Sequence, residues 1–309
     1  MCHRAGANKS DLSRARRKDC HLRDSQFLSV RLKFSIITPS FRNSAWLKRC
    51  IASVADQEGL EHEHIVQDSC SDDGTQEWLP HDPRVRAFVE KDGGMYDAVN
   101  RGLRRASGDV LAYLNCDEQY LPGALSAVGD YFERHPDVDV VLPDTVIVNP
   151  AGEYLCHRYS LVPRADTIWI RFPVLTCSLF FRRRVIDELG IFFDPKWRDL
   201  GDMFFIMEMA RRGVRMAALR CFGSVFTETG ENMNLKPNAL REKVEKRALT
   251  PRWVKLLEPA ILLQYRLRLL FSGAFHQPSF DYALYALDGG ERRVAHHVAR
   301  PTARWPGRY

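Results

Sequence analysis

Five short apolar runs alternate with segments of helical periodicity between residues 34 and 142, and this alternation constrains the fold more than any other feature. Runs of this length, bounded by turn residues, are typical of strands. The predicted strands cover residues 34–38, 64–68, 85–89, 110–114 and 138–142. The predicted helices between them cover residues 43–57, 75–79, 95–106 and 122–135. Such β-α-β alternation implies a mostly parallel α/β sheet with helices on both sides.

The pattern becomes less regular after residue 143. Later predicted elements are a hairpin at 145–158, a strand at 176–182, a helix at 202–212 and a helical stretch at 239–275. These changes suggest three regions. We predict a basic, disordered tail over 1–32, an α/β domain over 33–235 and a helical C-terminal extension over 236–309. The domain itself divides into halves over 33–143 and 144–235.

Charge and cysteine usage disfavour several classes of protein. The formal net charge is +6, but the excess gathers at the two ends of the chain rather than on a folded face, so nucleic-acid binding is not expected. The eight cysteines include no CxxC pair and no zinc-type spacing, which favours reduced thiols in a cytoplasmic protein. There is no secretory signal and no GxxxxGK[ST] phosphate loop.

A membrane role depends on the segment 253–275, which mixes leucine and aromatic residues with Lys255, Arg266 and Arg268. Its longest uninterrupted apolar run is too short to span a bilayer. Two interpretations stay open. The segment could lie in a membrane interface, giving peripheral contact with the inner face of the plasma membrane, or it could pack on the α/β domain.

Polar residues collect where the predicted strands end. The relevant segments are 38–41, Asp68, 90–94 and 115–118. In an open parallel sheet, ligands bind beyond the carboxyl ends of the strands, so these segments are expected to share one site. Gly93 and Gly94 permit close approach of backbone to a ligand, or form only a tight turn.

Three carboxylates at these strand ends have alternative interpretations. Asp117 and Glu118, beside Asn115, could hold a divalent cation or simply be solvated; their expected position opposite Asp68 favours the metal. Asp68 could accept a hydrogen bond from a nucleobase edge, begin an Asx turn, or do both.

A fourth carboxylate, Asp202, opens the predicted helix at 202–212. It could be the N-cap of that helix or a general base, and the sequence supports both equally. Asp199, three residues earlier, is the rival candidate for the base.

These motifs resemble the inverting glycosyltransferases of family 2, which have the GT-A fold. The resemblance rests on FSIITPSFR (34–42), DSCSDDGT (68–75), EKDGGMYDAVNRGLRRASGDVLAYLNCDE (90–118), CSLFFRRRVIDELG (177–190) and GDMFFIMEMARRG (201–213). It implies a Rossmann-like sheet whose first half binds the nucleotide and whose second half meets the acceptor. It also implies transfer of a hexose-type sugar from a nucleotide-sugar donor, with a UDP-sugar favoured, to a glycan or lipid-linked glycan acceptor during surface polysaccharide or glycoconjugate assembly.

The resemblance also implies residue roles. Asp68 would contact the nucleobase, and Pro39, Phe41, Asp92, Gly94 and Asn115 would line the donor site. Asp117, at the DxD position, and Glu118 would hold Mn²⁺ or Mg²⁺. Asp202 would be the catalytic base.

Two departures from the family pattern support an alternative function. Asn115 stands where the first DxD carboxylate is usual, and Thr176-Cys177 stands where close relatives often carry His-Gln. The alternative is a catalytically impaired GT-A protein that acts as a binding or scaffold protein.

Overall fold

The computed structural model describes residues 32–230, 237–287, 290 and 292–306. The strands are β1 (Phe34–Ser40), β2 (His62–Asp68), β3 (Arg86–Val89), β4 (Val110–Tyr113), β5 (Gln119–Tyr120), β6 (Val140–Val148), β7 (Tyr154–Arg158), β8 (Phe180–Arg182), β9 (Met216–Thr227), β10 (Phe280–Leu284) and β11 (Val294–Val298). The predicted tail, apart from Leu32, lies outside the described residues.

Ten helices accompany these strands within the described residues. They are α1 (Ser44–Ala55), α2 (Thr75–Trp78), α3 (Met95–Arg105), α4 (Ala124–Arg134), α5 (Ala165–Ile170), α6 (Arg184–Asp187), α7 (Gly201–Arg211), α8 (Pro237–Leu249), α9 (Arg252–Leu256) and α10 (Glu258–Phe271). None of the described helices is both long and apolar enough to cross a bilayer.

Nine of the described strands form one sheet in the order β3-β2-β1-β4-β8-β6-β9-β5, with β7 paired to β6. Strands β1 to β4, β6 and β9 run in one direction, because β8 is antiparallel to both β4 and β6. The prediction of a mostly parallel α/β sheet is therefore confirmed. The antiparallel insertion of β8 was not predicted.

The sheet is buried on both faces. Along β1, Phe34 and Ile36 face a core shared with α1 and α4, whereas Ile37 faces a core shared with α3 and α7. Successive strand residues point to opposite faces, so a continuous apolar run fills both layers. This explains why the first strands appear in the sequence as apolar runs rather than as alternating patterns.

Two later predictions need correction. Residues Thr176–Ser178 form a 3₁₀ turn, closed by the amide of Leu179 donating to Thr176 O at 3.0 Å, so only 180–182 of the predicted strand is strand. The predicted helical stretch 239–275 is interrupted, because α8 ends before Pro251, which precedes α9 and lacks the N–H that a helix interior needs.

The C-terminal extension is helical over α8 to α10 but also contains an unpredicted hairpin. Strands β10 and β11 pair antiparallel. Tyr282 and Leu284 pack with Val146, Val148 and Val225 of the main sheet. The hairpin therefore covers one end of that sheet.

Candidate active site

A cleft of about 1040 Å³ lies beyond the carboxyl ends of the parallel strands. Eight of the nine residues predicted from the sequence line it, namely Pro39, Phe41, Asp92, Gly94, Asn115, Asp117, Glu118 and Asp202. The exception is Asp68, which is fully buried. The first half of the domain, the helix α7 and the C-terminal extension all contribute to the walls, so the cleft joins segments far apart in the chain.

Asp68 organises the loop after β2 from inside. Its two carboxylate oxygens accept hydrogen bonds from the Ser71 amide at 2.8 Å and the Ser71 hydroxyl at 2.6 Å. Asp68 therefore holds the start of this loop, but the bonded amide is three residues on rather than the two of an Asx turn. A nucleobase contact stays a prediction. Ser71 in turn accepts the amide of Arg42 at 2.8 Å, which ties this loop to the segment after β1.

Phe41 presents an aromatic surface at the edge of the cleft. Its side chain is 46% exposed. The Lys91 ammonium lies 5.0 Å and the Arg42 guanidinium carbon 4.9 Å from the ring centroid. An exposed ring flanked by cations is suited to contact a flat, anionic ligand such as a nucleotide.

The loop before α3 places backbone against the cleft. The Gly94 amide donates to Asp92 Oδ1 at 2.9 Å, and the Gly93 amide donates to Asp97 Oδ2 at 2.9 Å. Gly94 has φ 125°, a conformation that residues with a side chain rarely adopt. The backbone conformation alone therefore requires glycine here, whether or not a ligand approaches it.

The turn from Asn115 to Glu118 carries the candidate metal ligands. Glu118 is buried, and its carboxylate accepts the Asn115 amide at 2.9 Å and the Thr176 hydroxyl at 3.5 Å. Asp117 is partly exposed and accepts no hydrogen bond from the side chain or backbone of another described residue. Burial raises the pKa of both carboxyls, and the charge of Asp117 adds to the rise at Glu118.

This turn fits a divalent cation with Asp117 as the available ligand. A cation would offset the cost of ionising a carboxyl that burial disfavours, and a diphosphate with waters could complete the coordination. Glu118 is held by the protein and shapes the turn. Within the described residues, no group of three or more His, Cys, Asp or Glu side chains forms a metal-binding cluster.

Asp202 lies inside the first turn of α7, because the helix begins at Gly201 and its N-cap is Leu200. The N-cap interpretation of Asp202 is therefore wrong. Burial raises the pKa of Asp202 to about 6, against the lowering effect of hydrogen bonds from the Met203 amide and the Tyr96 side chain. Such a carboxyl is suited to accept a proton near neutral pH.

Close packing sets the position of Tyr96 relative to Asp202. A Cβ on Gly201 would stand 2.5 Å from the Tyr96 ring, so only glycine allows this approach. The Tyr96 ring also stacks on Phe193 with centroids 5.3 Å apart. Tyr96 was missed at the sequence level, because nothing in the local pattern links residue 96 to residue 202.

The C-terminal extension fixes the loop that carries Asp199. Glu242 of α8 is buried, and its carboxylate accepts the amides of Arg198, Asp199 and Leu200 at 2.8, 3.0 and 2.9 Å. Asn238 donates to Glu242 at 2.9 Å and to the Asp199 carboxylate. Asn238 thereby ties the Asp199 carboxylate to α8. Asp202 is the better candidate base because burial raises its pKa to about 6. No pattern in the sequence predicted that Glu242 and Asn238 contact this loop.

Residues 35–190 match the family model described as Glycosyl transferase family 2, and this is just over half of the 309-residue chain. The chain belongs to glycosyl transferase family 2. It is therefore a glycosyltransferase, and the expectation drawn from its motifs is confirmed at this level.

Two curated relatives of this glycosyltransferase illustrate the range of the family. A PGL/p-HBAD biosynthesis glycosyltransferase from Mycobacterium bovis is 27% identical over 178 residues, covering 56% of this chain and 67% of the relative. The putative teichuronic acid biosynthesis glycosyltransferase TuaG from Bacillus subtilis is 34% identical over 91 residues, covering 28% of this chain and 36% of the relative.

A solved structure shows the same fold. TarS residues 1–349 from S. aureus, in complex with UDP-GlcNAc, superimposes on this glycosyltransferase with a TM-score of 0.58 at 20% identity. The match covers 70% of this chain and 64% of the TarS chain, so the chain spans less than two thirds of that structure. The likeness confirms the GT-A fold.

Proposed function

We propose that the protein transfers a sugar from a nucleotide-sugar donor, with a UDP-sugar favoured, to a hydroxyl of a glycan or lipid-linked glycan, with inversion at the anomeric carbon. The main support is that Asp117 and Asp202 line one cleft from the two halves of the domain. In this proposal one carboxylate would hold a cation and the other would accept a proton. TarS, of the same fold, is solved with UDP-GlcNAc, which agrees with a uridine nucleotide.

The proposed chemistry is a single displacement. Asp202 takes the proton of the acceptor hydroxyl while the hydroxyl oxygen attacks the anomeric carbon. The nucleoside diphosphate departs with the electron pair of the broken bond. Phe41 and the loop held by Asp68 receive the nucleoside, and Asp92 and Gly94 border the phosphates. Asp117, in the turn shaped by Glu118 and Asn115, would hold Mn²⁺ or Mg²⁺, which offsets charge on the leaving diphosphate.

A donor screen tests this proposal. Binding of UDP-, GDP- and dTDP-sugars is measured by thermal shift with Mn²⁺ and with EDTA, and nucleotide release is then assayed. We expect Asp117→Asn to weaken metal-dependent donor binding. We expect Asp202→Asn to keep donor binding while turnover falls about 10²–10⁴-fold, since general-base catalysis is lost.

Two outcomes of the screen would contradict the proposal. If no donor binds or is hydrolysed, transfer from a nucleotide sugar is excluded as the activity. If a donor binds but neither wild type nor Asp202→Asn releases nucleotide above background, the scaffold alternative is favoured.

We also propose that the protein works at the inner face of the plasma membrane, held there by peripheral contact. Large apolar side chains of α10 are exposed on its outer side, including Leu263 at 57%, Leu267 at 43% and Leu270 at 48%. Exposed basic residues accompany them, such as Arg252 and Arg266. An apolar stripe with cations nearby complements an anionic lipid surface.

Sedimentation with vesicles of phosphatidylcholine and phosphatidylglycerol tests this contact. We expect the variant L263E/L267E/L270E to lose vesicle binding, with Val294→Glu, an exposed apolar site on β11, as the control. Equal vesicle binding of wild type and the triple variant would show that α10 does not contact the membrane.

A further inference from the structure

Two arginines from different elements converge on one tyrosine at the wall of the cleft. Arg158 ends β7, Arg171 directly follows α5, and both line the cleft. Tyr265 of α10 is 4% exposed. Its hydroxyl lies 3.5 Å from Arg158 Nη2, and its ring centroid lies 5.4 Å from the guanidinium carbon of Arg171. The buried phenol therefore orients both guanidinium groups together.

Neither arginine is neutralised by a carboxylate of the described part of the chain. Among the described residues, Arg158 and Arg171 form no ion pair, whereas nearby arginines do. Arg164 pairs with Asp166 at 3.1 Å, and Arg220 pairs with Asp144. Each guanidinium at the cleft keeps several N–H donors in a planar arrangement that matches a phosphate. Two such groups in contact with the same tyrosine leave a concentration of positive charge that an anion would stabilise.

We propose that Arg158 and Arg171 form a binding subsite for a phosphate group carried by the acceptor. This inference rests on the proposed function, in which donor and acceptor occupy one cleft. The candidate donor groups, Asp117 and the loop with Asp92, belong to the first half of the domain. The two arginines belong to the second half and are oriented by the C-terminal extension.

The position of α10 bears on where the phosphate comes from. Tyr265 is on the buried side of the helix whose opposite side exposes Leu263 and Leu267. A phosphate between an apolar moiety and a sugar would reach the arginines from a lipid surface. A phosphate on a water-soluble glycan would reach them from solvent. The subsite chemistry is the same, because bidentate Arg–phosphate contacts serve both.

The test measures phosphate binding without metal. Inorganic phosphate is titrated by calorimetry in EDTA into the wild-type protein, R158Q/R171Q and Arg164→Gln, the last being an exposed arginine outside the cleft. We expect the double variant to bind at least about tenfold more weakly, since the charge-assisted hydrogen bonds of two guanidinium groups are lost. Arg164→Gln should match wild type, and equal melting temperatures would verify folding.

A parallel measurement separates this subsite from the donor site. Thermal shifts by UDP and GDP with Mn²⁺ should be the same in wild type and R158Q/R171Q. Loss of nucleotide binding by the same factor as phosphate binding would place the arginines in the donor site and overturn the inference. Unchanged phosphate binding in the double variant, or none in wild type, would overturn it as well.

These results are distinguishable from failure of the proposed function. Arginine-dependent phosphate binding together with a negative donor screen would refute the transfer activity but keep the anion subsite. Sedimentation with phosphatidylcholine vesicles, with and without phosphatidic acid, identifies the source. Arginine-dependent binding to the phosphatidic acid vesicles supports a lipid-borne phosphate, and binding of free phosphate alone supports a soluble one.

Discussion

At the scale of single residues, the proposed chemistry depends on how Tyr96 acts on Asp202. Burial raises the pKa of the Asp202 carboxyl to about 6, while the Tyr96 hydrogen bond lowers it. Tyr96 reaches this position because Gly201 leaves room for its ring. One carboxyl and two neighbours thus set the pH at which a proton can be accepted.

The substitution Tyr96→Phe should shift the pH profile of transfer to higher pH. A base acts when deprotonated, so activity rises as pH passes upward through the pKa of Asp202. Removing a hydrogen bond that stabilises the carboxylate raises this pKa, so the increase in activity should occur at higher pH. The measurement is kcat/KM against pH.

Tyr120→Phe is the control for this prediction, because Tyr120 is equally buried, lies outside the cleft and has a hydroxyl with no hydrogen-bond partner in the described structure. An unshifted profile for Tyr96→Phe would show that the phenol does not influence the catalytic base.

At the scale of elements, α8 acts on the loop before α7 through one buried carboxylate. Glu242 accepts three consecutive amides, from Arg198 to Leu200. These amides precede the helix that carries Asp202. The C-terminal extension therefore contributes to positioning the candidate base without touching the reacting atoms.

Glu242→Gln should loosen this loop. Charge-assisted hydrogen bonds are lost, so amide hydrogen exchange of residues 198–200 should accelerate roughly tenfold or more. The kcat of sugar transfer should fall, whereas the affinity for the donor should stay unchanged.

Glu245→Gln is the matched control on the same helix, because Glu245 forms an exposed ion pair with Arg241 at 3.3 Å. Exchange rates equal to wild type in Glu242→Gln would show that the carboxylate is not what holds the loop.

At the scale of the whole molecule, the C-terminal hairpin is tied to the first half of the domain by Arg293. Its guanidinium donates to both Asp56 oxygens, at 2.6 and 2.7 Å, and to the carbonyls of Tyr120 and Ala283, at 2.9 Å each. One side chain thus joins the turn after α1, strand β5 and strand β10.

Arg293→Ala should destabilise the protein by about 2–3 kcal/mol, because it removes the hydrogen bonds to Asp56 and to the Tyr120 and Ala283 carbonyls. Within the described part of the chain, the Asp56 carboxylate would keep only the hydrogen bond from the Tyr285 hydroxyl. Urea denaturation measures the free energy of unfolding, with the exposed Arg300→Ala as the control. A difference below about 0.5 kcal/mol, typical of surface substitutions, would show that the hairpin is held by its apolar contacts alone.

The sequence by itself determined the alternation of strands and helices, the acidic strand ends and the family. These features depend on local periodicity and on short motifs, both of which involve residues that are adjacent in the sequence. Eight of the nine predicted site residues accordingly line one cleft. The edge of a parallel sheet brings strand ends together whatever the details of packing.

Only the tertiary structure decided the antiparallel position of β8, the hairpin over the sheet and the partners of the site residues. Glu242 lies 44 positions from Arg198, and Tyr265 lies 107 positions from Arg158. Contacts at such separation depend on how the whole chain folds, so the pattern of neighbouring residues does not predict them. The same reasoning applies to Tyr96, whose effect on Asp202 depends on a glycine in a distant helix.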